Sequence, residues 1–164
     1  MDYRDPVQAN GKMGCVLVVD DVAVVRKSIR TTLANAGYEV LEAEDGAQAI
    51  RILQAAESPL LVDAILCDLR MPQINGTELI ACFRRRYPAT PIVALTGYPD
   101  VELAVSLMRQ GVMDFLVKPV LQGELLEVIG RAVAQNAAPK DHVVSYKELR
   151  TGAESALEKS FGGG

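Results

Sequence analysis

The sequence predicts an α/β fold, a doubly wound sandwich around a parallel five-stranded sheet of order 2-1-3-4-5. Two observations predict it. Apolar runs of strand length, rich in β-branched residues, alternate five times with stretches of helical period, and parallel neighbours need crossovers that are almost always right-handed. Four of those runs give out at a reactive group, at Asp20-Asp21, Asp68, Thr96 and Lys118. Open α/β sheets bind ligands outside the carboxyl ends of their strands, so these groups are expected to share one polar site.

Taken in order, Cys15 to Val19 is a continuous apolar run, as expected for a strand buried on both faces, and it stops at Asp20. Val25, Ile29, Leu33 and Ala36 share a helical face over about 22–36, and Gly37 is placed for a left-handed C-cap. Tyr38 to Ala43 reads as strand two. Ala47, Ile50, Leu53 and Gln54 mark a helix that closes before Pro59. Strand three is expected over Val62 to Cys67, with Asp68 at its end.

A turn through Met71-Pro72 and Gly76 leads to a helix over about 77–86, with Leu79, Ile80 and Phe83 inward and Arg84 to Arg86 toward water. Pro91 to Leu95 forms strand four, ending at Thr96, and Gly97 and Pro99 punctuate the turn after it. Val101, Ala104, Val105 and Met108 trace a helix that Gly111 stops. Asp114 to Val117 is strand five, and Pro119, which cannot donate to a ladder, enforces its end at Lys118. A last helix over about 122–135 buries Leu125, Leu126, Ile129 and Val133.

The 164 residues, 49% hydrophobic, suffice for one core plus arms. The expected division is a flexible N-terminal arm at 1–12, a globular domain at 13–135, and a linker with a C-terminal amphipathic helix at 136–164. In that last stretch Ser145 and Glu148 fit a capping box, and Tyr146, Leu149, Ala153, Ala156 and Leu157 form a stripe. A net charge of −4 argues against binding nucleic acid by neutralising phosphates. Cys15, Cys67 and Cys82 lie in apolar runs with no metal or redox spacing and read as buried thiols. With no signal peptide and no run near the ~20 apolar residues of a membrane span, the expected location is cytoplasmic. His142 falls in the tail and is expected to be exposed.

Three carboxylates in one cleft repel each other unless a cation joins them. A hard divalent ion, Mg²⁺, suits a shallow acidic cleft, whereas zinc or copper would need clustered His or Cys. Facing a hydroxyl and an ammonium, such a site suits a phosphoryl group. Asp68, at the end of a central strand, is the best candidate for a covalent aspartyl phosphate. Each residue alone also has a plain structural reading: a helix N-cap for Asp20 or Asp21, a turn former for Asp68, a turn cap for Thr96, a solvated strand end for Lys118.

Asp20-Asp21, Asp68 with Arg70, Met71 and Pro72, then Gly76, Thr96 and Lys118-Pro119, at these intervals, resemble the receiver domain of bacterial response regulators over roughly residues 12–135. The resemblance implies a flavodoxin-like (βα)5 fold and a phosphoacceptor that catalyses its own phosphorylation and slow dephosphorylation. Asp68 would take a phosphoryl group from a phosphohistidine on a sensor histidine kinase or a phosphotransfer protein. Asp21, Asp68 and the Arg70 carbonyl would hold Mg²⁺, with Asp20 acting mainly through water on the ion. Lys118 and the Gly97 amide would bind phosphoryl oxygens. Thr96 would turn toward them, and Phe115 would fill the space it leaves; many relatives have tyrosine there.

Arg70 and Tyr98 occupy the positions that tune loss of the phosphoryl group, and their bulk implies slow self-hydrolysis. The partners implied are the kinase or phosphotransfer protein and a downstream protein or a second copy of the chain, with no direct binding of nucleic acid or membrane. Two other classes compete with this reading. One is a phosphate-independent pseudo-receiver. The other is an aspartate-nucleophile phosphohydrolase of the haloacid dehalogenase type, which resembles Asp-x-Asp where this chain has Arg70 as the third residue.

Overall fold

The computed structural model describes residues 13–55, 61–71 and 74–136. Its elements are β1 (Gly14–Val19), α1 (Ala23–Asn35), β2 (Tyr38–Ala43), α2 (Gly46–Ala55), β3 (Ala64–Asp68), β4 (Arg70–Met71), β5 (Ile74–Asn75), α3 (Gly76–Arg86), β6 (Ile92–Thr96), α4 (Val101–Arg109), β7 (Asp114–Val117) and α5 (Gln122–Asn136). Five of the strands form one sheet of order β2-β1-β3-β6-β7, parallel at every pairing. Without the short pair β4-β5 this is the predicted order 2-1-3-4-5. Pro59, Pro72, the 1–12 arm and the tail beyond Asn136, with His142 and the capping box, lie outside the described residues.

Alternation along the strands divides the core into two layers. Leu17, Val19, Ile65, Cys67, Ile92 and Ala94 face α2, α3 and α4, where Leu53, Leu79, Ile80, Phe83 and Leu107 meet them. Val16, Val18, Ala64, Leu66, Val93 and Leu95 face α1 and α5, against Ile29, Leu33, Leu125 and Ile129. Fully burying one such side chain contributes roughly 1.5–3 kcal/mol. Burial on both faces therefore fixes where β1 and β3 lie, and with them the residues at their ends.

Several local expectations change. Strand β3 starts at Ala64 and includes Asp68 as its last residue. Helix α4 turns the stripe Val101, Val105 and Met108 outward, with Val101 80% exposed, and packs through Leu103 and buried Leu107 instead. The apolar period of this helix thus marks two faces, and the sequence does not say which one the sheet takes. Cys82 is only partly buried, unlike Cys15 and Cys67. Arg85 and Arg86 are exposed as expected, while the partly buried Arg84 donates to the Pro88 carbonyl at 3.0 Å.

The hairpin of β4 and β5 was not expected. Arg70 opposes Asn75 and Met71 opposes Ile74, folding the chain after Asp68 back on itself. Asn75 then caps α3, its side chain accepting from the Thr77 amide at 3.1 Å. Gly76 makes the fold-back fit: a Cβ there would lie 2.4 Å from the Leu69 Cα and 2.5 Å from its carbonyl oxygen, both backbone atoms. At the end of α1, Gly37 sits at φ 100°, the left-handed cap predicted for it. Replacing Gly76 by alanine is expected to cost about 2 kcal/mol or more of stability, because backbone must move to admit the methyl. Urea unfolding of Gly76→Ala beside wild type measures it.

Candidate functional site

The two central strands end level with each other. Val19 pairs with Cys67 across β1 and β3, so Asp20 and Asp68 leave the sheet side by side. Both continue the alternation that faces α1 and α5, as does Lys118 after Leu116 on β7. Thr96 belongs to the other alternation, with Ile92 and Ala94, and shares it with Phe115, which pairs with Ala94 across β6 and β7. Acids and amine thus lie toward one layer, hydroxyl and aromatic ring toward the other.

Lys118 ties the acids together. Its Nζ donates to Asp68 Oδ2 at 3.0 Å and lies 2.9 Å from Asp20 Oδ2, meeting the latter as an ion pair outside hydrogen-bond geometry. Asp68 Oδ1 accepts from the Arg70 amide at 3.0 Å, and Asp20 Oδ1 accepts from the Val22 amide at 2.9 Å. Neither Asp20 nor Asp21 caps α1: the N-cap position is Val22, which makes no side-chain cap. Asp68 does form the turn contact of its plain reading, but with one oxygen only.

Burial raises the pKa of Asp68; the Arg70 amide and the Lys118 ammonium oppose the rise, and the Asp20 charge adds to it. Burial pulls Lys118 the other way, yet Asp20 and Asp68 outweigh it and hold the ammonium above its ordinary value. Beside them Cys67 is pushed far up by burial, then by the Asp68 and Asp20 charges, and stays a neutral thiol.

Oxygens of Asp20, Asp21 and Asp68 lie within 4.8 Å of one another, and Asp21 Oδ1 is buried with no hydrogen-bond partner. Ligands across an octahedral Mg²⁺ stand about 4 Å apart. An all-oxygen set at this spacing, with one oxygen unused, fits a small hard cation after a small adjustment. Asp21 is the most exposed of the three and leaves the site open to solvent.

Around this centre, Thr96 is buried, and its Oγ1 accepts from the Tyr98 amide at 3.2 Å, the turn contact of its plain reading. Gly97 is exposed, with open space where a Cβ would be. Phe115 is half-buried against the α2–α4 layer. Arg70 on β4 and Tyr98 in the turn after β6 meet: the guanidinium carbon lies 4.2 Å from the Tyr98 ring centroid. The sequence reading missed Arg26 and Glu42. Arg26 donates to the Asp20 carbonyl at 2.8 Å and, through Nε, to Glu42 at 3.0 Å. The available signal was a cation one to two turns after the acid pair with an acid near the end of the neighbouring strand.

A family model described as the response regulator receiver domain matches residues 16–130. Among curated proteins the chain is similar to the transcriptional regulatory protein GlrR of Escherichia coli (strain K12), 35% identical over 126 residues that cover 77% of this chain and 28% of that protein. It is also similar to the DNA-binding transcriptional regulator NtrC of the same strain, 35% identical over 121 residues, 74% of this chain and 25% of that protein. The chain spans about a quarter of the length of these curated relatives. Among solved structures, Vibrio cholerae chemotaxis protein CheY4 matches with a TM-score of 0.67 at 35% identity, covering 73% of this chain and 98% of that one. A response regulator receiver protein from Pseudomonas putida matches with a TM-score of 0.65 at 36% identity, covering 72% and 96%.

Because the Asp68 pKa rises on folding, its ionised form costs stability that grows as pH climbs from the ordinary carboxylate range through the raised value. The raised Lys118 contributes in the opposite sense, present at neutral pH and lost only as pH rises through its own elevated pKa. Asp68→Asn removes the first cost and leaves Lys118 its Asp20 partner. At pH 7 without divalent ions the variant is expected to melt at or above wild type, by up to roughly 5 °C. Saturating Mg²⁺ is expected to raise the wild type more than the variant, by about 2.7 kcal/mol at a hundredfold excess over Kd; thermal melts with EDTA and with Mg²⁺ measure both.

Proposed function

The chain belongs to the response regulator receiver domain family, and from that premise we propose that it is a signalling switch whose Asp68 accepts a phosphoryl group with Mg²⁺. The observation that carries this reading is the cluster itself: a buried carboxylate at the end of a central strand, paired with Lys118 and flanked by two more acids. The donor is a phosphohistidine of a sensor histidine kinase or a histidine phosphotransfer protein. A cytoplasmic site of action goes with it; among the described residues no helix is long and apolar enough to cross a membrane.

In the reaction an Asp68 carboxylate oxygen attacks phosphorus, an O–P bond forms, and the donor's N–P bond breaks with its electron pair returning to the imidazole. Asp21, Asp68 and the Arg70 carbonyl, with Asp20 beside them, would hold Mg²⁺, which when bound supplies charge against the carboxylates and phosphoryl oxygens. Lys118, kept protonated by its acidic neighbours, then moves its pairing from Asp68 to the phosphoryl group. The Gly97 amide donates to it as well.

Phosphorylation adds about −1.5 to −2 charges and new acceptor oxygens. Thr96 gives up its contact with the Tyr98 amide and donates to one of them, and Phe115, on the same side of the sheet, packs into the space that opens. Exposed Val101, Val105 and Met108 on α4 support an output face for a downstream protein or a second copy. An apolar cleft of about 420 Å³, reaching from Val24 and Val25 on α1 to Lys118 and Leu125, supports an approach path for the donor. No nucleic-acid contact is assigned to this chain.

Incubated with Mg²⁺ and acetyl phosphate, the wild type is expected to gain the mass of one phosphoryl group and Asp68→Asn to gain none. Rapid release of phosphate from many esters would favour a hydrolase instead, and no modification would favour a phosphate-independent domain. The Arg70–Tyr98 contact, worth roughly 0.5–1 kcal/mol at an exposed place, shields the acyl phosphate from water. Tyr98→Ala is therefore expected to shorten the lifetime of the phosphorylated state by about two- to fivefold, followed by intact mass after donor removal.

A further inference from the structure

Asp20 has a backbone held from two directions. Its amide donates to the Ala43 carbonyl of β2 at 3.1 Å, and its own carbonyl accepts from Arg26 Nη1 at 2.8 Å. Arg26 stands in the first turns of α1 with its side chain only 13% exposed. The guanidinium spends a second donor on Glu42 Oε1 at 3.0 Å, and Arg30 takes the other Glu42 oxygen at 2.6 Å. Burial works against ionising Glu42, but the bonds from Arg30 and Arg26 outweigh it and keep the carboxyl below its usual range. A planar fork that serves a carbonyl and a carboxylate at once is a task for arginine and poorly suited to lysine.

The arrangement belongs to this position: Arg30, one turn further along α1, pairs with the same Glu42 while its side chain is 56% exposed. A bare cation a few ångströms from the acid cleft would repel a divalent ion. Glu42 cancels that field and leaves the directional hydrogen bond. What the pair does is aim: with both sides of the Asp20 peptide fixed, the carboxylates of Asp20 and Asp21 hold their separation although they repel each other.

We propose that Arg26 is a positioning residue for the divalent ion, gripping the Asp20 carbonyl so that Asp20 and Asp21 are preset for the metal, with Glu42 fixing the guanidinium. The inference rests on the reading of the acid cluster given above. Outer partners that orient metal ligands commonly change affinity by roughly ten- to a hundredfold when removed.

The test is a titration of the full chain with Mn²⁺, which shares the octahedral oxygen preference of Mg²⁺, reading free ion by electron paramagnetic resonance, with no phosphodonor present. Arg26→Met keeps the aliphatic packing and is expected to raise the Kd about tenfold. Arg26→Lys should recover part of the loss, and Glu42→Gln should shift the Kd in the same direction as Arg26→Met by a smaller factor. Melting in EDTA shows whether each variant is folded at the titration temperature. A Kd within twofold of wild type in Arg26→Met overturns the proposal; if that variant is unfolded, unchanged Kd values in both Arg26→Lys and Glu42→Gln overturn it. A wild type that binds no Mn²⁺ overturns the reading of the acid cluster itself, which separates the two failures.

Discussion

The Lys118 ammonium, set between the carboxylates of Asp20 and Asp68, is the contact on which the rest of the site depends. Two buried acids on adjacent strand ends are an electrostatic liability, and a single cation offsets it only in part, since Asp68 still has a raised pKa. A residue so placed is unsettled in either protonation state. The same property makes it responsive, because any added positive charge or new anion rearranges the pairing at once.

Keeping that arrangement in place falls to the sheet. β1 and β3 are buried on both faces, so neither can slide without exposing apolar surface. The loops above them are pinned by short polar contacts: Arg26 to Asp20, the Arg70 amide to Asp68, and the Leu69 amide to the Leu95 carbonyl. Strength comes from the layers below, and direction from a handful of hydrogen bonds above.

Much of this was legible in the residues. Continuous apolar runs such as Cys15 to Val19 state their own burial, and the reactive side chains at strand ends state where the site is. What escaped is what one-dimensional pattern cannot carry. The hairpin of β4 and β5 depends on Gly76 meeting the Leu69 backbone, a contact visible only in three dimensions. The face of α4 was open because apolar residues sit on two sides of it, and packing chose Leu107 over Val105. Arg26 looks like a surface charge in sequence because its partner at the site is a carbonyl, which every residue has, and Glu42 because it reaches the site only through Arg26.

The parity of the strands has one more consequence. Asp20, Asp68 and Lys118 lean toward the α1–α5 layer, whereas Thr96 and Phe115 lean toward the layer of α4. If, as proposed, the phosphoryl group is delivered over α1 and the result is read on α4, the two partners meet different faces of the sheet. Under the proposed function, donor and recipient are able to occupy the protein together, so it works as a junction in a standing assembly as readily as a messenger released from one partner before it meets the next.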